Sequence, residues 1–172
     1  RRVSPDEAER NAKRRHAAPP LTTTTLQKEA SRKLGFVGNS TMQIAWQLYE
    51  GADIDGETVG LITYMRTDGI TMAGEAVSEA RAVIGGRYGK QYVPAAPRVY
   101  TSKAKNAQEA HEAVRPTSFE RTPDKAARAL DGDQGKLSEL IWTRDRPSHR
   151  ETAELRPPTT PASSGVRTRP PR

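Results

Sequence analysis

Apolar positions recur at helical spacing through much of the middle of this chain. Thr24 and Gln27 have capping-box spacing, and Leu26, Ala30 and Leu34 follow at i, i+4 and i+8 until Gly35, which predicts a first helix. Ser40 with Gln43 predicts a second start, running through Ile44, Ala45, Leu48 and Tyr49 to a stop at Gly51. Two short helices about a turn region make a helix-turn-helix-like unit. The period then changes. Gly60 to Gly69 reads as a short β-branched and apolar strand that runs out into a polar, glycine-ended turn. Thr71 opens a helix whose apolar face is Ala73, Ala76, Val77, Ala80, Val83 and Ile84, closed by Gly85-Gly86.

From Arg87 to Lys105 the pattern is mostly loop, with a short extended piece at Arg98-Val99-Tyr100. Asn106 and Glu109 have capping-box spacing and predict a short helix that ends before Pro116. Thr122-Pro123 is an N-cap followed by proline at the first helical position, opening a helix to about Leu130. A last helix from about Asp133 buries Leu137, Leu140 and Ile141. The fold class expected is mainly α with a few short strands.

Composition divides the chain in three. The net charge is +7, but its location matters. Residues 1–20 carry six basic and three acidic side chains, residues 144–172 seven and three, and the stretch between them fifteen of each. The middle is neutral, so bulk electrostatics give no case for nucleic-acid binding there. All nine aromatic residues fall between Phe36 and Trp142, and nine of thirteen prolines lie in the two ends. A chain poor in aromatic and branched residues cannot support a core, so both ends read as flexible. The absence of cysteine excludes disulfides and thiolate metal sites and fits a reducing cytoplasm. No apolar run approaches the roughly 20 residues that span a bilayer.

The candidate chemistry lies in Gly60-Leu61-Ile62-Thr63-Tyr64-Met65-Arg66-Thr67-Asp68-Gly69. Alternation along an extended segment puts the Tyr64 hydroxyl and the Arg66 guanidinium on one side. Tyrosine is an uncommon nucleophile, and tyrosines at strand ends ordinarily pack a ring and leave the hydroxyl wet. Arg66 could equally be a surface arginine paired with Asp68. About forty residues on comes Asn106-Ala107-Gln108-Glu109-Ala110-His111-Glu112-Ala113-Val114-Arg115-Pro116-Thr117. Together the two segments resemble the active-site tyrosine motif and downstream histidine motif of the bacterial DNA topoisomerase I family, the type IA topoisomerases. Pro19-Pro20-Leu21-Thr22-Thr23-Thr24-Thr25-Leu26-Gln27 resembles the family's Pro-Phe-Thr-Thr-Ser-Thr-Leu-Gln, with Leu21 in place of Phe and Thr24 in place of Ser. The resemblance continues through Ala30 to Phe36 and Thr41 to Ala45, and ends near Leu140-Ile141-Trp142.

The resemblance implies a fragment carrying the active-tyrosine domain over residues 19–143, related to the winged-helix or catabolite-activator fold, behind a basic, flexible segment 1–18. It implies an isomerase that cuts one DNA strand through a 5′-phosphotyrosine link, passes the other strand, and reseals. Negatively supercoiled DNA is relaxed without ATP. Tyr64 is implied as nucleophile, Arg66 as transition-state stabiliser and His111 as phosphate contact or proton-transfer aid. Asp68 is expected to hold Arg66 in register or contact DNA, and Glu109 to orient His111. Lys28, Arg32, Lys33, Lys103 and Lys105 are candidate phosphate contacts or, alternatively, solvated faces. Glu112 and Arg115 read as a helix ion pair. No metal ligands are expected in this chain: Mg²⁺ belongs to a Toprim domain of the intact enzyme. The expected partner is single-stranded and negatively supercoiled DNA, and the expected state a nucleoid-associated cytoplasmic monomer. One alternative is a non-enzymatic winged-helix DNA-binding module in which Tyr64 stacks on a base. Another is an inactive product of a truncated reading frame.

After about Thr143 the sequence turns to arginine, proline, threonine and serine, with Leu155 and Val166 the only large aliphatic residues. Arg146-Pro147 disfavours helical continuation. The expectation is a disordered tail over residues 144–172, either frameshifted in a GC-rich gene or a natural basic extension.

Overall fold

The computed structural model describes residues 18–100 and 111–148, with the side chains of 145–148 left out. Helix α1 spans Thr23–Leu34 and α2 spans Gly38–Glu50. A hairpin follows, β1 (Ala52–Ile54) against β2 (Glu57–Val59), antiparallel with Ala52 opposite Val59. Helix α3 (Gly74–Tyr88), a 3-10 turn (Lys90–Tyr92), α4 (Pro123–Ala127) and α5 (Gly132–Ser148) complete the order. Among the described residues the structure is mainly helical with one small sheet.

The threonine run decides where α1 begins. Thr22, not Thr24, is the N-cap: its hydroxyl accepts from the Thr25 amide while the Thr25 hydroxyl accepts from the Thr22 amide at 2.7 Å. Four consecutive threonines make several registers locally equivalent. Tertiary bonds of Thr23, described below, select one. Gly35 ends the helix with φ 71°, in the left-handed region. Helix α2 also starts earlier than expected, after Val37, so Ser40 lies inside it. Thr41, Ala45 and Leu48 are its buried face, and Tyr49 is exposed rather than part of the core.

The hairpin is an element that apolar periodicity misses. Its signal is Asp55-Gly56, both at positive φ (55° and 87°), the two-residue turn that matches strand twist. The Asp53 carboxylate accepts from the Gly56 amide at 2.9 Å.

Helix α3 runs through Gly85-Gly86 to Gly89. Glycine in a helix weakens it by about 1 kcal/mol without forbidding it, and the absent side chain at Gly85 leaves room for Val93. Ala76, Ala80 and Ile84 are buried as expected, and Val77 and Val83 partly so. No strand forms at 98–100.

The largest correction concerns His111 to Pro116, which is extended and not helical. The Asn106 and Glu109 cap lies outside the described residues. The Ala113 amide donates to the Thr71 carbonyl, Val114 to Leu21 and Arg115 to the Thr63 hydroxyl. These long-range bonds take the donors that a helix would have used, and Ala113 and Val114 are fully buried. The expected Glu112–Arg115 ion pair forms at 2.6 Å, on extended backbone.

Helix α4 opens at Thr122-Pro123 as expected and stops at Ala127, short of Leu130. Helix α5 buries Leu137, Leu140, Ile141 and Trp142 and continues through Pro147 to Ser148. The proline falls in its last turn, where only one backbone bond is forgone. The remainder of the expected tail, residues 149–172, lies outside the described residues.

One core joins these parts. Leu26 and Ala30 of α1, Ala45 and Leu48 of α2, and Leu137, Leu140 and Ile141 of α5 pack with Leu21, Leu61, Ile62, Met65 and Val114. A second cluster of Ala80, Phe119 and Trp142 seats α3 on α5, with the Trp142 indole donating to the Phe119 carbonyl at 3.1 Å.

Candidate active site

Burial alternates through the tyrosine segment. Met65 and Thr67 are buried, at 1% and 8% exposure, while Tyr64, Arg66 and Asp68 are exposed. The period-two expectation therefore holds, although Gly60–Gly69 forms no regular strand and shares only the bridge Ile62–Pro116. The buried residues fix the segment and the outward ones are left for chemistry.

Three sequence segments converge to hold it. Thr23 binds from the first: its hydroxyl lies 2.6 Å from the Met65 carbonyl and 3.1 Å from that of Thr67, and accepts from the Thr67 amide at 2.8 Å. The Thr23 amide also donates to the Thr67 carbonyl at 2.9 Å. From the other side, the Thr63 amide donates to the Arg115 carbonyl at 2.9 Å and the Thr63 hydroxyl to the Ala113 carbonyl at 2.8 Å. Gly69 then passes so close to His111 that a Cβ there would collide with the His111 carbonyl oxygen. Leu21–Thr23, Thr63–Gly69 and His111–Thr117 are parts of the motifs Pro19–Gln27, Gly60–Gly69 and Asn106–Thr117, and they are bonded to one another although Leu21 and Val114 lie 93 residues apart.

His111 is exposed at the edge of this arrangement. Among the described residues Arg66 makes no ion pair, with Asp68 or any other carboxylate. Lys28 is exposed on α1. Arg32 and Lys33 both reach Glu29, at 3.0 and 2.8 Å. The hydrogen bond from Lys33, helped by the charges of Lys33 and Arg32 and opposed by partial burial, holds the Glu29 carboxyl below its ordinary value. Lys103, Lys105 and Glu109 lie outside the described residues.

Two residues that the sequence pattern assigned no function stand beside Tyr64. Tyr49 lies edge-on to it with ring centroids 5.4 Å apart, and Trp46 approaches in a T-shaped contact at 6.5 Å. Their signal was an aromatic pair three residues apart on α2, indistinguishable from core before packing is known. A cleft of about 820 Å³ opens next to them, lined in part by Gln27, Asn39, Gln43, Gln47, Trp46 and Arg66.

The sequence model of the family described as DNA topoisomerase matches residues 3–159. The chain belongs to the bacterial DNA topoisomerase I family. The match reaches beyond residues 19–143 at both ends. DNA topoisomerase 1 of Rickettsia felis is 54% identical over 139 residues, covering 81% of this chain and 18% of that protein. DNA topoisomerase 1 of Xylella fastidiosa is 55% identical over 133 residues, 77% of this chain and 16% of that protein. The solved full-length topoisomerase I of Thermotoga maritima superposes with a TM-score of 0.67 at 42% identity, over 77% of this chain and 20% of that one. The chain thus spans under a fifth of these curated relatives' length. Among the described residues no group of three potential metal ligands gathers, and no helix there is long and apolar enough to cross a membrane.

Proposed function

We propose that this chain is the part of a type IA topoisomerase that supplies the nucleophile for transient cleavage of single-stranded DNA. The Tyr64 phenol oxygen attacks a backbone phosphorus and forms a 5′-phosphotyrosine bond. The 3′-oxygen leaves and takes up a proton, and reversal reseals the strand. The ester stores the bond energy, so no ATP is consumed. In the intact enzyme the cycle, with strand passage, relaxes negatively supercoiled DNA.

A free phenol has a pKa near ~10, so charge stabilisation is required at neutral pH. Arg66, outward on the side shared with Tyr64 and unpaired among the described residues, is suited to bind two oxygens of the reacting phosphate. Asp68 makes no ion pair with Arg66, so of its two expected roles we assign it the contact to DNA. His111, whose backbone carbonyl lies against Gly69 and whose side chain is exposed, takes a second phosphate oxygen or assists proton transfer. Glu109 orients it, and Lys28, Arg32, Lys33, Lys103 and Lys105 are secondary phosphate contacts, of which Arg32 and Lys33 must first leave Glu29. Mg²⁺ belongs to a Toprim domain of the intact enzyme, and no step is assigned to it here. Helices α1 and α2 followed by the β1–β2 hairpin have the order of a winged helix, the subtype we assign. We assign the working protein as a monomer in the bacterial cytoplasm, on the nucleoid.

The observation that carries this reading is the alternation at 63–68, which turns Tyr64 and Arg66 outward while Met65 and Thr67 anchor the backbone. Its test is a hybrid in which residues 19–143 replace the matching stretch of an intact relative. The hybrid is expected to form a covalent adduct with single-stranded DNA that Tyr64→Phe abolishes. An adduct surviving in the phenylalanine variant sinks the assignment.

A further inference from the structure

Trp46 and Tyr49 are large apolar rings left 44% and 41% exposed, on a helix that buries Thr41, Ala45 and Leu48 instead. With Tyr64, 38% exposed, they form a three-ring cluster. The interplanar angles are 53°, 75° and 66°, so no ring covers another in parallel. Flat faces are therefore left without a stacked partner inside the cluster.

The adjoining cleft is lined by Trp46 and by four neutral amides, Gln27, Asn39, Gln43 and Gln47. Its charged lining is one Arg66 and one Glu50, which offset each other. A near-neutral cleft is poor at gathering phosphates. Amides offer both donors and acceptors, the equipment for the edges of an unpaired base, and an indole face is the surface on which such a base stacks. At about 820 Å³ the space is of the size that encloses a small organic group.

We propose that this cleft is a base-binding subsite: one unpaired base of single-stranded DNA stacks on Trp46, beside the strand position held at Tyr64. The proposal rests on the reading of Tyr64 as a nucleophile toward single-stranded DNA and adds the place where a neighbouring base is held. Arg66 lines the cleft as well, so the phosphate next to that base reaches the same guanidinium.

The two tryptophans make a direct test, because Trp142 is only 6% exposed and bonded to Phe119. The full 172-residue chain is titrated with a single-stranded oligodeoxynucleotide of about ten nucleotides, within the site sizes of such binders. Tryptophan emission and the anisotropy of a labelled strand are followed together. Binding is expected to quench emission. Trp46→Phe abolishes the quench and keeps most of the affinity, since a phenyl face still stacks. Trp46→Ala weakens binding roughly tenfold, and an abasic strand of the same length binds wild type no better than the normal strand binds the alanine variant. Quenching that persists in Trp46→Phe, undiminished affinity in Trp46→Ala, or an abasic strand that binds as well as a normal one overturns the subsite. Failure of the nucleophile reading looks different: quenching stays intact while the hybrid enzyme forms no covalent adduct.

Discussion

Gly69 and His111 meet backbone to backbone, with no room for a side chain between the glycine Cα and the histidine carbonyl. That contact joins the end of the tyrosine segment to the start of the histidine segment. Gly69 is not among the glycines at positive φ, so the requirement is one of space and not of backbone conformation.

Gly69→Ala is therefore expected to push the two segments apart. Overpacking of this kind costs about 1–3 kcal/mol, to be read from urea denaturation of the chain. In the hybrid enzyme the same change should lower covalent adduct formation by more than the stability loss accounts for. Wild-type behaviour in both measurements would show that His111 moves aside freely.

Thr23 should be intolerant of losing its hydroxyl. Thr23→Val leaves the Thr67 amide and the Met65 carbonyl without the partner they have at 2.8 and 2.6 Å. Stranding buried polar groups costs about 1–3 kcal/mol. Thr23→Ser keeps the oxygen and should recover most of that loss. Equal destabilisation by valine and serine would assign the effect to packing.

Glu29 sets a pH dependence. Its carboxyl titrates below the ordinary value of 4.5, first through the Lys33 hydrogen bond. Its contribution to stability is then fully present above that ordinary value and is lost as pH falls through the lower, folded-state value. Lys33 and Arg32 are 45% and 69% exposed, so after solvent screening the effect is about 0.5 kcal/mol or less. Urea midpoints at pH 7 and pH 3 for wild type and Glu29→Gln measure it, and the difference between the proteins should be smaller at the lower pH. Releasing the two cations should also strengthen DNA binding by Glu29→Gln at low salt.

Purified on its own, the 172-residue chain is expected not to relax supercoiled plasmid, with or without Mg²⁺. The reason is that this chain spans under a fifth of its curated relatives' length, while phosphoryl transfer of this kind draws on a bound cation near the reacting phosphate. Appreciable Mg²⁺-dependent relaxation by the pure chain would show that it holds a metal site of its own.

Sequence alone determined the helices with long apolar faces and strong stops. Leu26 and Ala30, then Ala45 and Leu48, then Leu137 and Ile141 are buried where periodicity places them, because a helix has only one face to bury. It also determined that Tyr64 and Arg66 share one side of their segment, since alternation of side chains is a property of extended backbone itself. Tertiary structure decided what local chemistry leaves degenerate. The four threonines at 22–25 offer several caps, and only the bonds from Thr23 to Met65 and Thr67 choose among them. His111 to Pro116 has a sequence that favours a helix, yet its amides find better partners on Leu21, Thr63 and Thr71, residues far away in the chain. Trp46 and Tyr49 look like core until Thr41, Ala45 and Leu48 take the buried side of α2 and leave the rings in the open around Tyr64. Periodicity reports which residues share a face; which face the rest of the molecule covers is settled only by packing.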